Sequence, residues 1–288
     1  MTSSPSRILS LVAGVLLAVA VAMLSGCQTA GPDPAVAAEW ARLDQGNNGF
    51  AGTIQPFTIP VTVRYAPVAY AGHQSQISES FGAGTSRSEW DLKGTIVSSG
   101  DALVWDESYF FTSVSLTAPT YAVRQQMDSR GRVSRAEASF PALEGRTLTA
   151  EQNQFIQAIK EWTESVQTDV GYPAGAVAAG DALLTSADVA RLLGQTLGAG
   201  DLADNTLGSR IAGLTFVGSR RALVVTLGGA ATLRSGPDVL TMTMRGYMLV
   251  DLATGLTVEE LVGTSVGGNA GGAAVAARSV QRTQRTIN

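Results

Sequence analysis

From Ser86 to Phe111 apolar and polar residues alternate around the cluster Ser98-Ser99-Gly100-Asp101, and no other stretch restricts the fold so narrowly. Strand side chains point to opposite faces with period two, and Gly and Asp suit a tight turn. A turn centred between Ser99 and Gly100 predicts Trp90 opposite Tyr109, Leu92 opposite Glu107, Gly94 opposite Trp105 and Ile96 opposite Leu103. All of these share one side. The other side then pairs Asp91 with Ser108, Lys93 with Asp106 and Thr95 with Val104. A slip of one residue would exchange the faces. The expectation is a long antiparallel hairpin with one buried face.

A second copy of the plan follows. Ala222–Leu233 and Val239–Leu252 flank Arg234-Ser235-Gly236-Pro237-Asp238. With Pro237 as an insertion, Ser99-Gly100 overlays Ser235-Gly236, Asp101 overlays Asp238 and Leu103 overlays Leu240. Another turn is expected at Asp128-Ser129-Arg130-Gly131, where Gly accepts a positive φ. Between the two β regions, Thr149-x-x-Gln152 is a capping box. Phe155, Ile159, Trp162 and Val166 then form one helical stripe. A shorter helix is expected after Thr185, with Asp188 three residues on and Val189, Leu192 and Leu193 as its apolar face.

The fold class read from these patterns is α+β, mainly β. Long curved antiparallel sheets, as two repeated meanders or as one unrepeated set, carry one longer and one shorter helix. The β-rich domain is expected over 56–264, with halves 56–140 and 205–264 joined by a helical segment, 148–198. The Gly- and Pro-rich residues 27–55 predict a flexible tether holding a helical turn near Ala35–Leu43. The Gly/Ala-rich stretch and terminal arginines of 265–288 predict a disordered tail.

At the N-terminus, Ile8–Met23 is an apolar run preceded by Arg7. It is shorter than the roughly 20 residues a membrane-spanning helix needs. Leu24-Ser25-Gly26-Cys27 follows directly and holds the only cysteine of the chain. This layout resembles the signal of bacterial lipoproteins, which implies a signal peptide over 1–26 and acylation of Cys27. Two or three acyl chains on one residue anchor a protein far more firmly than one. Gln28 is not the Asp that such proteins use for inner-membrane retention. The resemblance therefore implies a cell-envelope location, lipid-anchored in the outer membrane and facing the periplasm. A single cysteine allows no intrachain disulfide, so packing alone must hold the fold.

With 20 Lys+Arg against 24 Asp+Glu, the formal net charge is −4. That argues against nucleic acid, whose binding depends on basic contacts to phosphate. Gly263-Thr264-Ser265-Val266-Gly267 matches the nucleophile-elbow pattern, which needs a strand-to-helix turn and a later histidine. The one histidine, His73, lies far upstream. Zinc sites of Cys and His are excluded by count, and no phosphate loop or calcium loop occurs. No metal or cofactor is expected. Glu259 and Glu260 are adjacent on a strand and point to opposite faces, so they cannot form one acid/base site.

Trp90, Trp105 and Tyr109 are the candidate lining of an apolar ligand cavity, or else plain core. Gly246–Gly255 resembles the strand and Thr-Gly turn of uncharacterised two-lobed β-rich envelope lipoproteins. The order of strands, helices and strands is similar, more loosely, to half-barrel lipoprotein carriers. These resemblances imply a non-catalytic envelope lipoprotein that binds a protein partner or an apolar ligand such as lipid. The alternatives are a structural spacer without ligand and an envelope hydrolase; the last requires a two-carboxylate cleft or Ser265 near His73.

Overall fold

The computed structural model describes residues 33–80, 84–112, 119–165, 169–197, 201–270 and 272–288. Cys27 with its signal, and Val166 of the helical stripe, lie outside them. So do the side chains of Phe155, Trp162, Leu192 and Leu193.

One antiparallel sheet of eleven strands dominates the chain. Its first meander comprises β1 (Val68–Ser80), β2 (Gly84–Ser99), β3 (Ala102–Phe111), β4 (Tyr121–Met127) and β5 (Val133–Ser139). The second comprises β6 (Asp201–Ala203), β7 (Gly208–Val217), β8 (Arg220–Ser235), β9 (Asp238–Asp251), β10 (Thr257–Ala270) and β11 (Ala273–Ile287). The spatial order is β5-β4-β3-β2-β1-β11-β10-β9-β8-β6, with β7 also paired to β8. The first strand thus pairs with the last, and the two meanders join through β1 and β11.

The first hairpin keeps the expected faces but not the expected partners. Its turn is Gly100-Asp101, so Leu92 faces Tyr109, Gly94 faces Glu107 and Ile96 faces Trp105. The shift from the expected pairs is two residues, which preserves the faces. Gly100 has φ +61°, the positive value that a two-residue type II′ turn needs at its first central position. Gly236 (φ +58°) begins the β8–β9 turn in the same way, with Pro237 second. Pro237 is therefore not an insertion. Overlaid turn on turn, Leu103 meets Val239, yet Leu103 is buried and Val239 is exposed. The two hairpins bury opposite parities, and the residue-level repeat is not present.

The tail expected over 265–288 is the end of β10 and all of β11, a central strand. β11 shows no hydrophobic alternation because its buried face is largely polar. Ser279, Gln281, Thr283 and Arg285 are buried on one face, whereas Arg278 and Arg282 reach Glu79 and Glu259 on the other. The tether expected over 27–55 is also shorter than composition suggests. Asp33 caps α1 (Pro34–Leu43), its Oδ1 accepting from Ala35 N at 2.7 Å, with Pro34 in the first turn. Gln55 then pairs with Leu214 of β7.

The sheet is covered on both faces. On what we call the back face, Trp40, Leu43, Phe50 and Ile54 pack on Val224, Tyr247, Leu249 and Val280. On the front face, Val63, Tyr65, Tyr172 and Val177 pack on Tyr70, Ile96, Trp105, Leu223, Val225 and Met248. α2 (Ala150–Ser165) lays Ile156 and Ile159 over Leu92, Tyr109, Tyr121 and Phe140. Its capping box forms as expected: Gln152 N donates to Thr149 Oγ1 at 3.2 Å and Thr149 N donates to Gln152 Oε1 at 2.9 Å. α3 (Ser186–Leu197) is capped likewise by Thr185 and Asp188 and buries Val189. No helix among the described residues is long and apolar enough to cross a membrane.

Candidate functional site

The front face of the first meander carries a buried polar network built by register. Tyr70 of β1 faces Gly94 of β2, and Gly94 faces Glu107 of β3. Gly94 has no side chain to block this row, and a Cβ there would lie 2.2 Å from the Tyr70 ring. Tyr70 therefore reaches across β2 and donates its hydroxyl to Glu107 Oε1 at 2.7 Å. Tyr109 donates to Glu107 Oε2 at 2.6 Å, and Trp105 Nε1 donates to Tyr70 Oη at 2.7 Å. In the next row Arg285 of β11 faces Gly72 of β1. Its side chain crosses Gly72, where a Cβ would lie 2.9 Å from Arg285 Cγ, and Nη2 reaches Glu107 Oε1 at 3.4 Å. The guanidinium carbon sits 5.7 Å from the Tyr70 ring centre, within the range of a cation–π contact.

The Arg285 side chain is 3% exposed and that of Glu107 is 9% exposed. Burial pushes the Tyr109 phenol well above its ordinary range, and the Glu107 carboxylate beside it adds to the shift. Burial and Glu107 also raise Tyr121, which stacks on Tyr109 at 4.4 Å. Arg285 Nε and Nη1 and Trp90 Nε1 are buried with no hydrogen-bond partner among the described residues. Trp90 is half-buried at the rim, 5.5 Å from Phe111. It faces Gln74, one row from Gly72 and Arg285.

Of the three sequence candidates, Trp105 and Tyr109 are therefore core members with satisfied polar atoms, and Trp90 borders them. Two clefts lie elsewhere among the described residues. One, of about 430 Å³, is lined by Asp101, Met127, Asp128, Arg132 and Asp169; the other, of about 180 Å³, by Arg124, Gln125, Arg135 and Glu137. Sequence reasoning put Glu107 on the apolar side of the hairpin without weighing it. A lone carboxylate among inward-facing residues was the available signal, because a buried charge requires a partner. Arg285 carried no such signal.

The serine constellation does not assemble, although the larger cleft does gather three carboxylates, Asp101, Asp128 and Asp169. Ser265 pairs with Arg278, and Arg278 with Glu79, six residues along β1 from His73. At the strand rise this separates Ser265 from His73 by about 20 Å. Ser265 shares a hydrogen bond with Thr243, and His73 Nδ1 lies 3.0 Å from Asp91 at the surface. Glu260 is buried on the front face and accepts from Gln281, whereas Glu259 accepts from Tyr247 on the back. No group of three metal-ligating side chains occurs among the described residues.

No protein-family profile and no curated protein sequence matches the chain. Solved structures overlap it loosely. A putative outer membrane lipoprotein-sorting protein domain from Vibrio parahaemolyticus is 8% identical, covering 88% of this chain and 91% of that one at a TM-score of 0.24. A DUF1329 family protein from Desulfovibrio piger is 10% identical, covering 89% and 92% at 0.23. A lipovitellin structure showing lipid–protein interactions is 10% identical at a TM-score of 0.33; the overlap covers 78% of this chain and only 25% of the lipovitellin chain. None of these overlays is close enough to define a shared fold, so function rests on the residues of this chain.

Proposed function

We propose that this chain is a non-catalytic cell-envelope lipoprotein, anchored through acylated Cys27, that binds an amphipathic ligand at the rim of the front face beside Trp90. The carrying observation is the surplus of buried donors. Arg285 Nε and Nη1 and Trp90 Nε1 have no partner among the described residues, and Leu92, Tyr121, Phe140, Ile156 and Ile159 form an apolar cluster next to them. Buried polar groups are nearly always paired. Glu107 already neutralises Arg285, so the complementary ligand group is an uncharged acceptor, such as an ester or amide carbonyl, on an apolar chain. The roughly 20 Å between Ser265 and His73 supports binding over hydrolysis.

Native mass spectrometry of the soluble domain, expressed in bacteria and purified without detergent, tests the reading. A retained lipid that is lost in Arg285→Met supports it. A protein empty in every preparation leaves the spacer reading in its place. The anchor is tested separately. Labelled palmitate should enter the parent chain and not Cys27→Ser, and only the parent should fractionate with membranes.

A further inference from the structure

The β10–β11 tip carries no charge, and Asp33 lies at the same end of the sheet. Asp33 N donates to Glu79 Oε2 at 2.9 Å, next to the end of β1. Glu79 pairs with Arg278, Arg278 with Ser265 and Ser265 with Thr243, so one line across the sheet marks the height of Asp33. Beyond that line β10 and β11 run on for six more residues to their turn, about 20 Å at the strand rise. The β8–β9 turn at Gly236-Pro237 lies as far beyond Thr243.

Cys27 and Asp33 are six Cα steps apart, about 20 Å when fully extended and about 13 Å as a relaxed chain. An anchor on Cys27 therefore reaches the height of the hairpin tips only at full stretch. At any shorter extension the tips meet the bilayer.

The β10–β11 tip suits that contact. No residue from Val266 to Ala277 is charged. Gly268, Asn269, Gly272, Ala273, Ala274 and Ala276 are exposed there. The neighbouring β8–β9 tip differs: it exposes Val239 but also carries Arg234 and Asp238. The turns at the opposite end hold Asp101, Asp128, Arg130, Arg132, Arg220 and Arg221. An uncharged tip enters a headgroup layer with no ion to desolvate, and the short link holds it there at high effective concentration.

We propose that the β10–β11 tip rests on the surface of the bilayer that holds the acyl chains. This rests on acylation of Cys27. The opposite end, with the larger cleft, then points away from the membrane. Contact of this kind needs no basic patch and is insensitive to salt.

The test uses the full acylated chain in vesicles of phosphatidylethanolamine and phosphatidylglycerol. Acylation blocks the only native thiol, so Ala274→Cys supplies a unique site for a bimane label, with Asp101→Cys as the distal control. Headgroup nitroxide lipids should quench the label at position 274 several-fold more than at 101, equally at low and high salt. Equal quenching at both positions in protein that carries palmitate overturns the contact and leaves the anchor standing. Absence of palmitate overturns both.

Discussion

Replacing Glu107 by Gln should be among the most damaging single-atom changes in this protein. The carboxylate accepts from Tyr70 at 2.7 Å and Tyr109 at 2.6 Å, and faces Arg285 Nη2 at 3.4 Å. Each hydrogen bond to a charged group contributes about 1.5–3 kcal/mol. Removing one member of a buried ion pair costs about 3–5 kcal/mol, because the other charge is left uncompensated. These effects overlap in one network and do not add. The amide oxygen can still accept from Tyr70 and Arg285, which share Oε1, but its NH2 then meets the Tyr109 hydroxyl and the Arg285 charge is left uncompensated, so the expected loss is about 3–4 kcal/mol. Against a typical total of about 5–15 kcal/mol, the urea midpoint should fall steeply with little change in slope. Trp105 donates to Tyr70 and so reports on the same region by fluorescence. Adding Arg285→Met should recover stability, since the double variant no longer buries an unpaired charge. A Glu107→Gln loss under about 1 kcal/mol, or a double variant no more stable than the single, would refute the idea that this pair is energetically coupled.

Three further outcomes are expected. Gly94→Ala should cost about 1–3 kcal/mol by overpacking, because the added Cβ would lie 2.2 Å from the Tyr70 ring; unchanged thermal stability would show that the ring does not cross Gly94. Deleting residues 273–288 should abolish cooperative unfolding, since β11 joins the two meanders; a truncated chain with native near-ultraviolet circular dichroism would mean that the segment is dispensable. Asp251 accepts from Arg220 at 2.9 Å and from Thr254 Oγ1 at 2.7 Å. Burial alone would raise its carboxyl, but Arg220 and Thr254 outweigh that and hold it below the usual range. A depressed folded pKa gives stability that is complete above the unfolded value of about 3.9 and is lost as pH falls through the folded value. Asp251→Asn should therefore be less stable than the parent at pH 6, with the gap closing below about pH 3; a gap constant across that range would contradict the linkage.

The elements legible in the sequence were those with a local physical signature. The helix caps at Thr149 and Thr185 came from side chains that satisfy backbone groups three residues away. The faces of β2 and β3 came from period two, which survives any even shift in register. The shift itself was invisible, because whether Gly100 occupies the first or second position of the turn moves every partner by two without changing which side is apolar. β11 was invisible for a different reason. A strand whose buried face holds Ser279, Gln281, Thr283 and Arg285 has no hydrophobic alternation to find, and its stability comes from β1 and β10 on either side.

The sequence alone determined a mainly β chain with no intrachain disulfide and two capped helices, and offered an N-terminus that resembles a lipoprotein signal, because composition, caps and alternation are local. Only the tertiary structure decided that the first and last strands pair, that Tyr70 and Arg285 meet at Glu107 across two glycines, and that Asp33 lies at the end of the sheet that holds the uncharged β10–β11 tip. Those contacts join residues up to about two hundred positions apart, and no short-range pattern encodes the register that brings them together.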